Sequence, residues 1–197
     1  MERDEFRGAA WGVMVSGRVE PKRFVFVDEM GTNTCLSPLR AWSPVGQRAH
    51  CSVPRNRGTN TALLSSMTVE GMIPSLAVEG ATTAAVFEAY LEKVLAPSLR
   101  AGQVVVMDNL SAHKGERVGR IVESRRCELA VYLPACSPDL NPIEEAFSKV
   151  KGLARRAEAR AREVLIEAVG AAPSAVSARD ARGFFEHRGY RSTGQRL

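Results

Sequence analysis

The sequence predicts an α/β protein in which helices cover a mixed β-sheet. Apolar, β-branched segments come early, in "RFVFVDE" (23–29) and "TALLSSMTVEGMIPSLAVEG" (61–80). Helical and strand patterns then alternate from residue 82 onward. Hairpin-linked strands followed by β-α-β-α units indicate that antiparallel strands come first in the sheet and parallel strands later. The chain has 197 residues, of which 45% are hydrophobic and 25% charged, so it is long enough to enclose a core.

The first part of the chain supplies most of the predicted strands. Residues 23–29 form an apolar run that ends on two acids and predicts a buried strand. Residues 61–80 predict two strands joined at Glu70-Gly71, an acid-Gly turn signal. Between them, residues 31–60 are rich in Gly, Pro, Asn, Thr and Arg, and we expect one further strand and a long mobile loop there.

Residues 82–99 show a clear helical period of apolar side chains. Thr82 or Thr83 is the expected cap, and Pro97 is expected to end the helix. The later patterns predict a strand at 103–109, a helix at 115–126, a strand at 128–134, a helix from Pro142, and a last short helix within 177–190 that begins with Ser177 and Asp180 at capping-box spacing.

The segment "CSPDLNPIEEAF" (136–147) predicts a rigid start for the helix from Pro142. Asn141 is the expected N-cap and Pro142 the first helical residue, while Glu144 stands at capping-box spacing from Asn141. Acids in the first turn also suit the helix dipole. The stretch therefore fits two interpretations, a well-capped helix or a helix that aims a carboxylate at a site.

Three acids stand at the ends of predicted elements. Asp28 ends the first strand, Asp108 ends a later one, and Glu144 opens the helix after the last strand. Chemistry in parallel-strand units collects at the carboxyl ends of strands, so these side chains could meet. Oxygen-only ligands suit Mg²⁺ or Mn²⁺. The alternatives are an acid kept for solubility at Asp28 and turn chemistry at Asp108-Asn109.

The positive charge is concentrated near the C-terminus. Residues 146–197 hold 11 Lys/Arg and 5 Asp/Glu, a net of +6, whereas residues 1–145 hold 16 and 17, a net of −1. This asymmetry favours a polyanionic partner for the C-terminal part, and a solvated helix face spaced by Glu158 and Glu163 is the alternative.

Composition also limits the cellular setting. No apolar run is long enough to span a membrane, and the charged N-terminus does not have the pattern of a signal peptide. Four cysteines occur without zinc-type spacing or the pattern of a disulfide framework. We therefore expect a cytoplasmic protein with reduced thiols and no membrane contact.

Four segments resemble a known family. "FVFVDEMGTNT", "VVVMDNLSAHKG", "LPACSPDLNPIEEAFSKVK" and "FFEHRGYRST" are similar to the DDE-type transposases of bacterial insertion-sequence family six-thirty, within the mariner superfamily. The resemblance runs from about Arg23 to Thr193, and 35 residues separate Asp108 from Glu144. It departs from the family's usual residues at Met30 and Cys136.

The resemblance implies a ribonuclease-H-like fold and a site with two divalent ions, Mg²⁺ or Mn²⁺. The family's three acids fall on Asp28, Asp108 and Glu144, with Glu145 and Asp139 as competitors for the third role. The implied activity is metal-dependent DNA cleavage and strand transfer at transposon ends, with a TA target dinucleotide.

The same resemblance places DNA-contacting residues in two segments. Asn109, His113 and Lys114 follow the second acid and would contact DNA or substrate, with a surface turn as the alternative. A basic helix spanning Lys149–Arg162 would hold backbone phosphates without reading sequence. Its proposed phosphate contacts are Lys149, Lys151, Arg155 and Arg156.

We expect a helical lead-in at 1–22, a ribonuclease-H-like DDE catalytic domain at 23–162 and a helical, basic tail at 163–197. Family members carry a helix-turn-helix domain before the catalytic core, and about 20 residues before the first strand are too few for one. A partner chain or a homodimer could supply it. Two other interpretations stay open: a non-catalytic DNA-binding remnant or partner chain, and a stand-alone ribonuclease-H-like nuclease or phosphohydrolase.

Overall fold

The computed structural model describes residues 11, 19–36, 42–50, 60–108, 115–129, 133–134, 137–157 and 162–191. Five strands form one sheet in the order β3-β2-β1-β4-β5. They are β1 (Phe24–Thr32), β2 (Thr61–Thr68), β3 (Gly71–Glu79), β4 (Val104–Met107) and β5 (Glu128–Leu129). The pairs β1-β2 and β2-β3 are antiparallel, whereas β1-β4 and β4-β5 are parallel. The predicted change from antiparallel to parallel strands is confirmed.

Among residues 19–191, the described parts of the chain contain five α-helices: α1 (Ala84–Tyr90), α2 (Glu116–Ser124), α3 (Ile143–Arg156), α4 (Arg162–Ala171) and α5 (Ala178–His187). Short 3₁₀ turns occur at Pro21–Arg23, Ala96–Ser98, Pro138–Leu140 and Ala172–Ala175. The helix predicted at 82–99 begins as expected, because the Thr83 side chain accepts a hydrogen bond from the Val86 amide. It continues through a π-helical turn at Leu91–Leu95 and ends at the 3₁₀ turn that contains Pro97.

The sheet separates two apolar cores because successive side chains of a strand point to opposite faces. Val25 and Val27 of β1 pack with the side chains of α1 and α2. Phe24 and Phe26 of the same strand pack with α3, α4 and α5 on the other face. The alternating exposure of β1 to two helical layers explains why its sequence is apolar at every position from 24 to 27.

The hairpin predicted at Glu70-Gly71 joins β2 to β3. Gly71 has φ +132°, and a Cβ there would lie 3.3 Å from the carbonyl oxygen of Val176, so both the turn and the packing require glycine. β3 is an edge strand of the described sheet and contains Pro74 at an irregularity in its pairing with β2. Proline is tolerated at such a position because no ladder hydrogen bond is needed there.

The region expected to hold a further strand shows none in its described parts. β1 itself extends to Thr32, and residues 33–36 and 42–50 contain no strand, while 37–41 and 51–59 lie outside the described residues. The strand predicted at 128–134 is described as β5 at its first two residues only, and 130–132 lie outside.

The C-terminal helices belong to the same core as the central strand. Leu165 and Val169 of α4 and Phe185 of α5 are buried in the cluster that contains Phe24 and Phe26. Beyond α5, Tyr190 is also buried there, with its ring 5.3 Å from Phe24 and 5.0 Å from Phe26. The segment expected to be a tail from residue 163 therefore covers one face of the sheet.

From the expected N-terminal lead-in, Trp11 is described as helical and buried in this same core. Its indole Nε1 donates a hydrogen bond to the Tyr190 hydroxyl at 3.1 Å. None of the helices among the described residues has the length and apolar character needed to cross a membrane.

Candidate active site

Asp28 and Asp108 come from the two central parallel strands. β1 and β4 pair in register up to Val27 opposite Met107, and each acid is the next residue along its chain. Alternation places Asp28 on the face of Phe24 and Phe26, the face covered by α3, α4 and α5. The same alternation places Asp108 on that face, after Val104 and Val106.

One detail of the sequence prediction is wrong. Asp28 does not end its strand, because β1 continues to Thr32 through its antiparallel pairing with β2. The parallel pairing with β4 ends at Val27. Asp28 therefore stands where β1 loses one of its two neighbouring strands, and this local opening of the sheet gives its carboxylate room beside Asp108.

The Asp28 carboxylate is held by two hydrogen bonds. The Glu29 backbone N–H donates to Oδ1 at 2.7 Å, and the side-chain amide of Asn141 donates through Nδ2 to Oδ2 at 2.8 Å. The residue is only 7% exposed. These two bonds orient the carboxylate group.

Asn141 corrects the predicted helix start. Its side chain bonds to Asp28 instead of capping α3, and Pro142 occupies the N-cap position without a side-chain cap. The only described link between Asn141 and Glu144 is a backbone bond, from the Glu144 N–H to the Asn141 carbonyl at 3.3 Å. The expected capping box is therefore not formed. Asn141 is 3% exposed, and its Oδ1 has no hydrogen-bond partner among the described atoms.

The two acids in the first turn of α3 have different surroundings. Glu145 accepts through Oε1 from Arg188 Nε and is hydrogen-bonded to His187 Nδ1, each at 2.7 Å. Glu144 is exposed, and its carboxylate makes no hydrogen bond or ion pair with another described residue. Glu145 is thus engaged by Arg188 and His187, whereas Glu144 is available for a ligand.

The turn before α3 is held by Tyr190. Its hydroxyl donates to the Leu140 carbonyl at 2.7 Å and accepts from the Trp11 indole. Burial, with a smaller contribution from the nearby Asp139 carboxylate, raises the pKa of Tyr190 to about 12. The phenol therefore stays protonated and able to donate at any physiological pH. Asp139, the other competitor for the third acid, lies in the Pro138–Leu140 turn.

Sequence reasoning missed four residues in or beside this site. The role of Asn141 as a partner of Asp28 was hidden by its equally good fit to a helix cap. Arg188 and Tyr190 lie in "FFEHRGYRST", a segment quoted for its resemblance but given no role. Ser65 faces Asp28 across the β1-β2 pair, and its hydroxyl is 2.7 Å from that of Ser75. Ser65 could have been found by counting the alternation of "TALLSSM" from its buried leucines.

The residues expected to contact DNA divide into described and undescribed groups. Asn109, His113 and Lys114 lie outside the described residues. The expected basic helix Lys149–Arg162 is not one described helix, since α3 ends at Arg156 and α4 begins at Arg162, with 158–161 outside the described residues.

Within α3 the basic residues are not equivalent. Lys149 Nζ lies 2.7 Å from Asp180 Oδ2, and this contact, with the Ser177 hydroxyl and amide, holds the pKa of Asp180 well below its usual range. Lys151 and Arg155 are half-buried and Arg156 is exposed, and none of the three has a described ion-pair partner. Of these four basic residues, Lys149 is therefore the one whose positive charge is paired with a described carboxylate, that of Asp180.

The donor chemistry of the site suits a hard divalent cation. Asp28 and Asp108 each follow a member of the in-register pair Val27–Met107, and Mg²⁺ is commonly held by one or two carboxylates together with water and substrate phosphate. In the part of the chain that the structure describes, no three Asp, Glu, His or Cys side chains are grouped closely enough to form a metal cluster. The two strand acids therefore form the core of a candidate site, and Glu144 lies in the adjoining helical turn.

The strand order and the mixture of antiparallel and parallel strands are those of a ribonuclease-H-like fold, as predicted. The family model for DDE superfamily endonucleases matches residues 23–166. The chain belongs to this family. No curated protein matches the sequence.

Solved structures of the Mos1 transposase share the fold. The chain matches the Mos1 strand transfer complex with 21% identity and a TM-score of 0.73, covering 96% of this chain and 60% of that one. For the Mos1 paired-end complex with left transposon end, the identity is 17%, the TM-score 0.74 and the coverage 97% and 61%. For the Mos1 catalytic domain with Raltegravir and Mg, the identity is 18% and the TM-score 0.64, and the match covers 96% of this chain and 92% of that one. The chain thus spans about 60% of the Mos1 chain in the first two complexes.

Proposed function

We propose that this chain is the catalytic domain of a DNA transposase of insertion-sequence family six-thirty, with Asp28, Asp108 and Glu144 as its catalytic acids. The observation that carries the proposal is the hydrogen bond from Asn141 to Asp28. It ties the segment that precedes α3 to Asp28, through a residue three positions before Glu144 in the chain. The family supports the same assignment, since its members are DDE endonucleases.

Glu144 is the better choice for the third acid. Glu145 is bonded to Arg188 and His187, and turning it toward a metal would break both contacts. Glu144 has no such contact to lose among the described residues. Glu144 is exposed, lies at the start of a helix and bonds to no described residue. These properties suit a metal ligand that binds its cation only when the substrate is also present.

Asp28, Asp108 and Glu144 would hold two Mg²⁺ or Mn²⁺ ions. Such ions, when bound, lower the pKa of a water and stabilise the attacking and leaving oxygens of phosphoryl transfer. Mos1 structures containing Mn and Mg support the choice of metal. The hydrogen bonds to Asp28 preset its orientation, and Asp108 adds a second negative charge next to it, which favours a cation at this edge of the sheet.

The substrate we propose is double-stranded DNA. Water would attack a phosphodiester at a transposon end and release a 3′-hydroxyl, which would then attack a phosphodiester of a TA-type target and displace a second 3′-hydroxyl. Each step exchanges one P–O bond for another, so no external energy source is needed. Mos1 complexes with a left transposon end and after strand transfer support this substrate. The net charge of +6 after residue 145 also suits a polyanion.

Terminal-repeat recognition would come from a helix-turn-helix domain in a partner chain or in the second copy of a homodimer. The activity test therefore should not depend on sequence recognition. The purified chain is incubated with supercoiled plasmid and Mn²⁺ or Mg²⁺, and we expect nicked circles that do not form in EDTA. Pre-nicked transposon ends added with target plasmid are expected to give joined products.

Asp28→Asn should abolish nicking, with a loss of at least about a thousandfold, because the metal loses a ligand. Glu29→Gln is the matched control, since Glu29 is the neighbouring acid on the opposite face of β1, and it should keep near-normal activity. Nicking that survives Asp28→Asn would contradict the proposal. Salt-sensitive DNA binding without any metal-dependent cleavage would favour a non-catalytic partner chain, and cleavage of RNA–DNA hybrids without joining would favour a stand-alone nuclease.

A further inference from the structure

We propose that Arg188 and Tyr190 are positioning residues that clamp the first turn of α3, and with it Glu144, against the sheet. The inference rests on the proposed function for its chemical meaning. It also extends that function, because both residues lie beyond residue 166, where the match to the family ends.

The clamp contacts α3 on both sides of Glu144. On one side, the Tyr190 hydroxyl donates to the Leu140 carbonyl at 2.7 Å. On the other side, Arg188 Nε donates to Glu145 Oε1, also at 2.7 Å. Arg188 and Glu145 are 20% and 22% exposed, so this ion pair is mostly shielded from water. A charge-assisted hydrogen bond in such surroundings constrains its partners more than a surface pair does.

Both clamp residues are themselves fixed by the end of α5. Gly189 has φ +89°, which lets the chain reverse directly after the helix and brings Tyr190 back so that its N–H bonds to the Phe185 carbonyl at 2.9 Å. The Tyr190 ring is 5.0 Å from Phe26, which is two residues before Asp28 in β1. Tyr190 therefore contacts both the strand that carries Asp28 and the turn that precedes Glu144.

The third attachment of this turn is the bond from Asn141 to Asp28. Leu140 and Glu145 are thus bonded to the segment that ends α5, and Asn141 is bonded to β1, while the carboxylate of Glu144 is bonded to no described residue. This arrangement fixes the backbone of Glu144 and leaves its side chain open. A metal-binding carboxylate requires this geometry, because its backbone must be held in place while its oxygens remain free to bind the ion.

The clamp is tested with the full chain by three measurements on Arg188→Ala and Tyr190→Phe. Hydrogen exchange followed by NMR reports the amides of Glu144 and Glu145, with Val150 in the middle of α3 as the internal reference. We expect the amides of Glu144 and Glu145 to exchange about tenfold faster in each variant than in the wild type, because each variant loses one charge-assisted or buried hydrogen bond. The exchange rate of the Val150 amide should stay unchanged. Mn²⁺ binding by electron paramagnetic resonance should weaken about tenfold.

The third measurement is the nicking rate at saturating DNA, which should fall about tenfold or more with unchanged affinity for DNA. Arg188→Lys keeps a cation beside Glu145 and should recover most of the lost rate. Arg179→Ala is the matched control for charge removal, because Arg179 is an exposed arginine of the same helix with no described partner. Tyr90→Phe is the matched control for a buried hydroxyl, since Tyr90 bonds to Ser66 on the opposite face of the sheet.

The clamp is overturned if Arg188→Ala and Tyr190→Phe match their control variants in amide exchange rates, Mn²⁺ affinity and nicking rate. It is also overturned if the Val150 amide exchanges faster by the same factor as the amides of Glu144 and Glu145. Wild-type protein that neither binds Mn²⁺ nor nicks DNA would instead refute the proposed function. In that case, hydrogen exchange at Glu144 and Glu145 alone decides whether the clamp exists.

Discussion

Asn141 is the residue on which the geometry of the candidate site depends most directly. It is 113 positions from Asp28 in sequence, yet the two side chains share a buried hydrogen bond. The unpartnered Oδ1 of Asn141 makes this burial costly. A residue that loses hydrogen-bond free energy on one atom while orienting a proposed catalytic acid with another is better explained by function than by stability.

Asn141→Asp tests this contact through pH. A new carboxylate would stand where the amide now lies, 2.8 Å from Asp28 Oδ2, and the two charges would repel. We expect the free energy of unfolding, measured by urea without divalent metal, to fall by about 2–4 kcal/mol at about pH 8. The pair then has a raised pKa in the folded state, so its penalty is present above that pKa and should disappear as the pH falls toward about 5 and one proton binds.

The matched change is Asn60→Asp, at an exposed asparagine before β2, which should cost little at either pH. An Asn141→Asp penalty of the same size at both pH values would show that the two side chains do not share this contact in solution.

At the level of the element, α3 presents two kinds of basic residue. Lys149 faces α5 and is paired with Asp180, which also closes the capping box with Ser177 that the sequence predicted. Lys151 and Arg156 have no described partner. One helix can therefore use its basic residues for internal attachment on one side and for phosphate contact on another.

Lys151→Ala and Lys149→Ala should separate these uses. Lys151→Ala should weaken DNA binding and lower the slope of log affinity against log salt by about 1, the value for one lost phosphate contact. Lys149→Ala should leave that slope nearly unchanged and instead lower the thermal stability, because the pair with Asp180 is lost. Fluorescence anisotropy across a salt series and thermal unfolding measure the two effects. Equal salt slopes for the two variants would contradict the assignment.

Elements with a strong local signal could be predicted from sequence. The apolar run of β1, the Glu70-Gly71 turn, the Thr83 cap and the Ser177–Asp180 capping box all follow from residues close in the chain. The continuation of β1 past Asp28 could not, because a Glu-Met-Gly-Thr sequence has little strand signal and is held by pairing with β2. The contact of Asn141 with Asp28 could not be predicted either, because helix-capping preferences depend on neighbouring residues and carry no information about a partner on a distant strand.

For the molecule as a whole, the family match and the folded unit have different extents. The match ends at residue 166, but Val176, Ala181, Phe185 and Tyr190 are all buried in the core that covers β1. The positions of Asp28 and Asp108 beside paired parallel strands were predictable because each follows an apolar run. The Arg188 and Tyr190 contacts were not, because they depend on how the last helix returns to the sheet.

A chain ending at residue 166 should therefore fail to fold cooperatively. Losing Phe185 and Tyr190 alone removes about 3–5 kcal/mol each, against a total stability of about 5–15 kcal/mol for a typical domain. The control ends at residue 191 and keeps every described residue. Circular dichroism with urea should give a cooperative transition for the control and a broad, early one for the shorter chain. A cooperative transition in both would show that α5 is dispensable.

Pro74 has a consequence for assembly. It interrupts the outer strand of the sheet at mid-length, where an incoming strand from another molecule would require a backbone N–H, and proline has none. Pro74 therefore disfavours a continuous β3–β3 ladder between two copies of this chain, and this strand is protected from edge-to-edge aggregation.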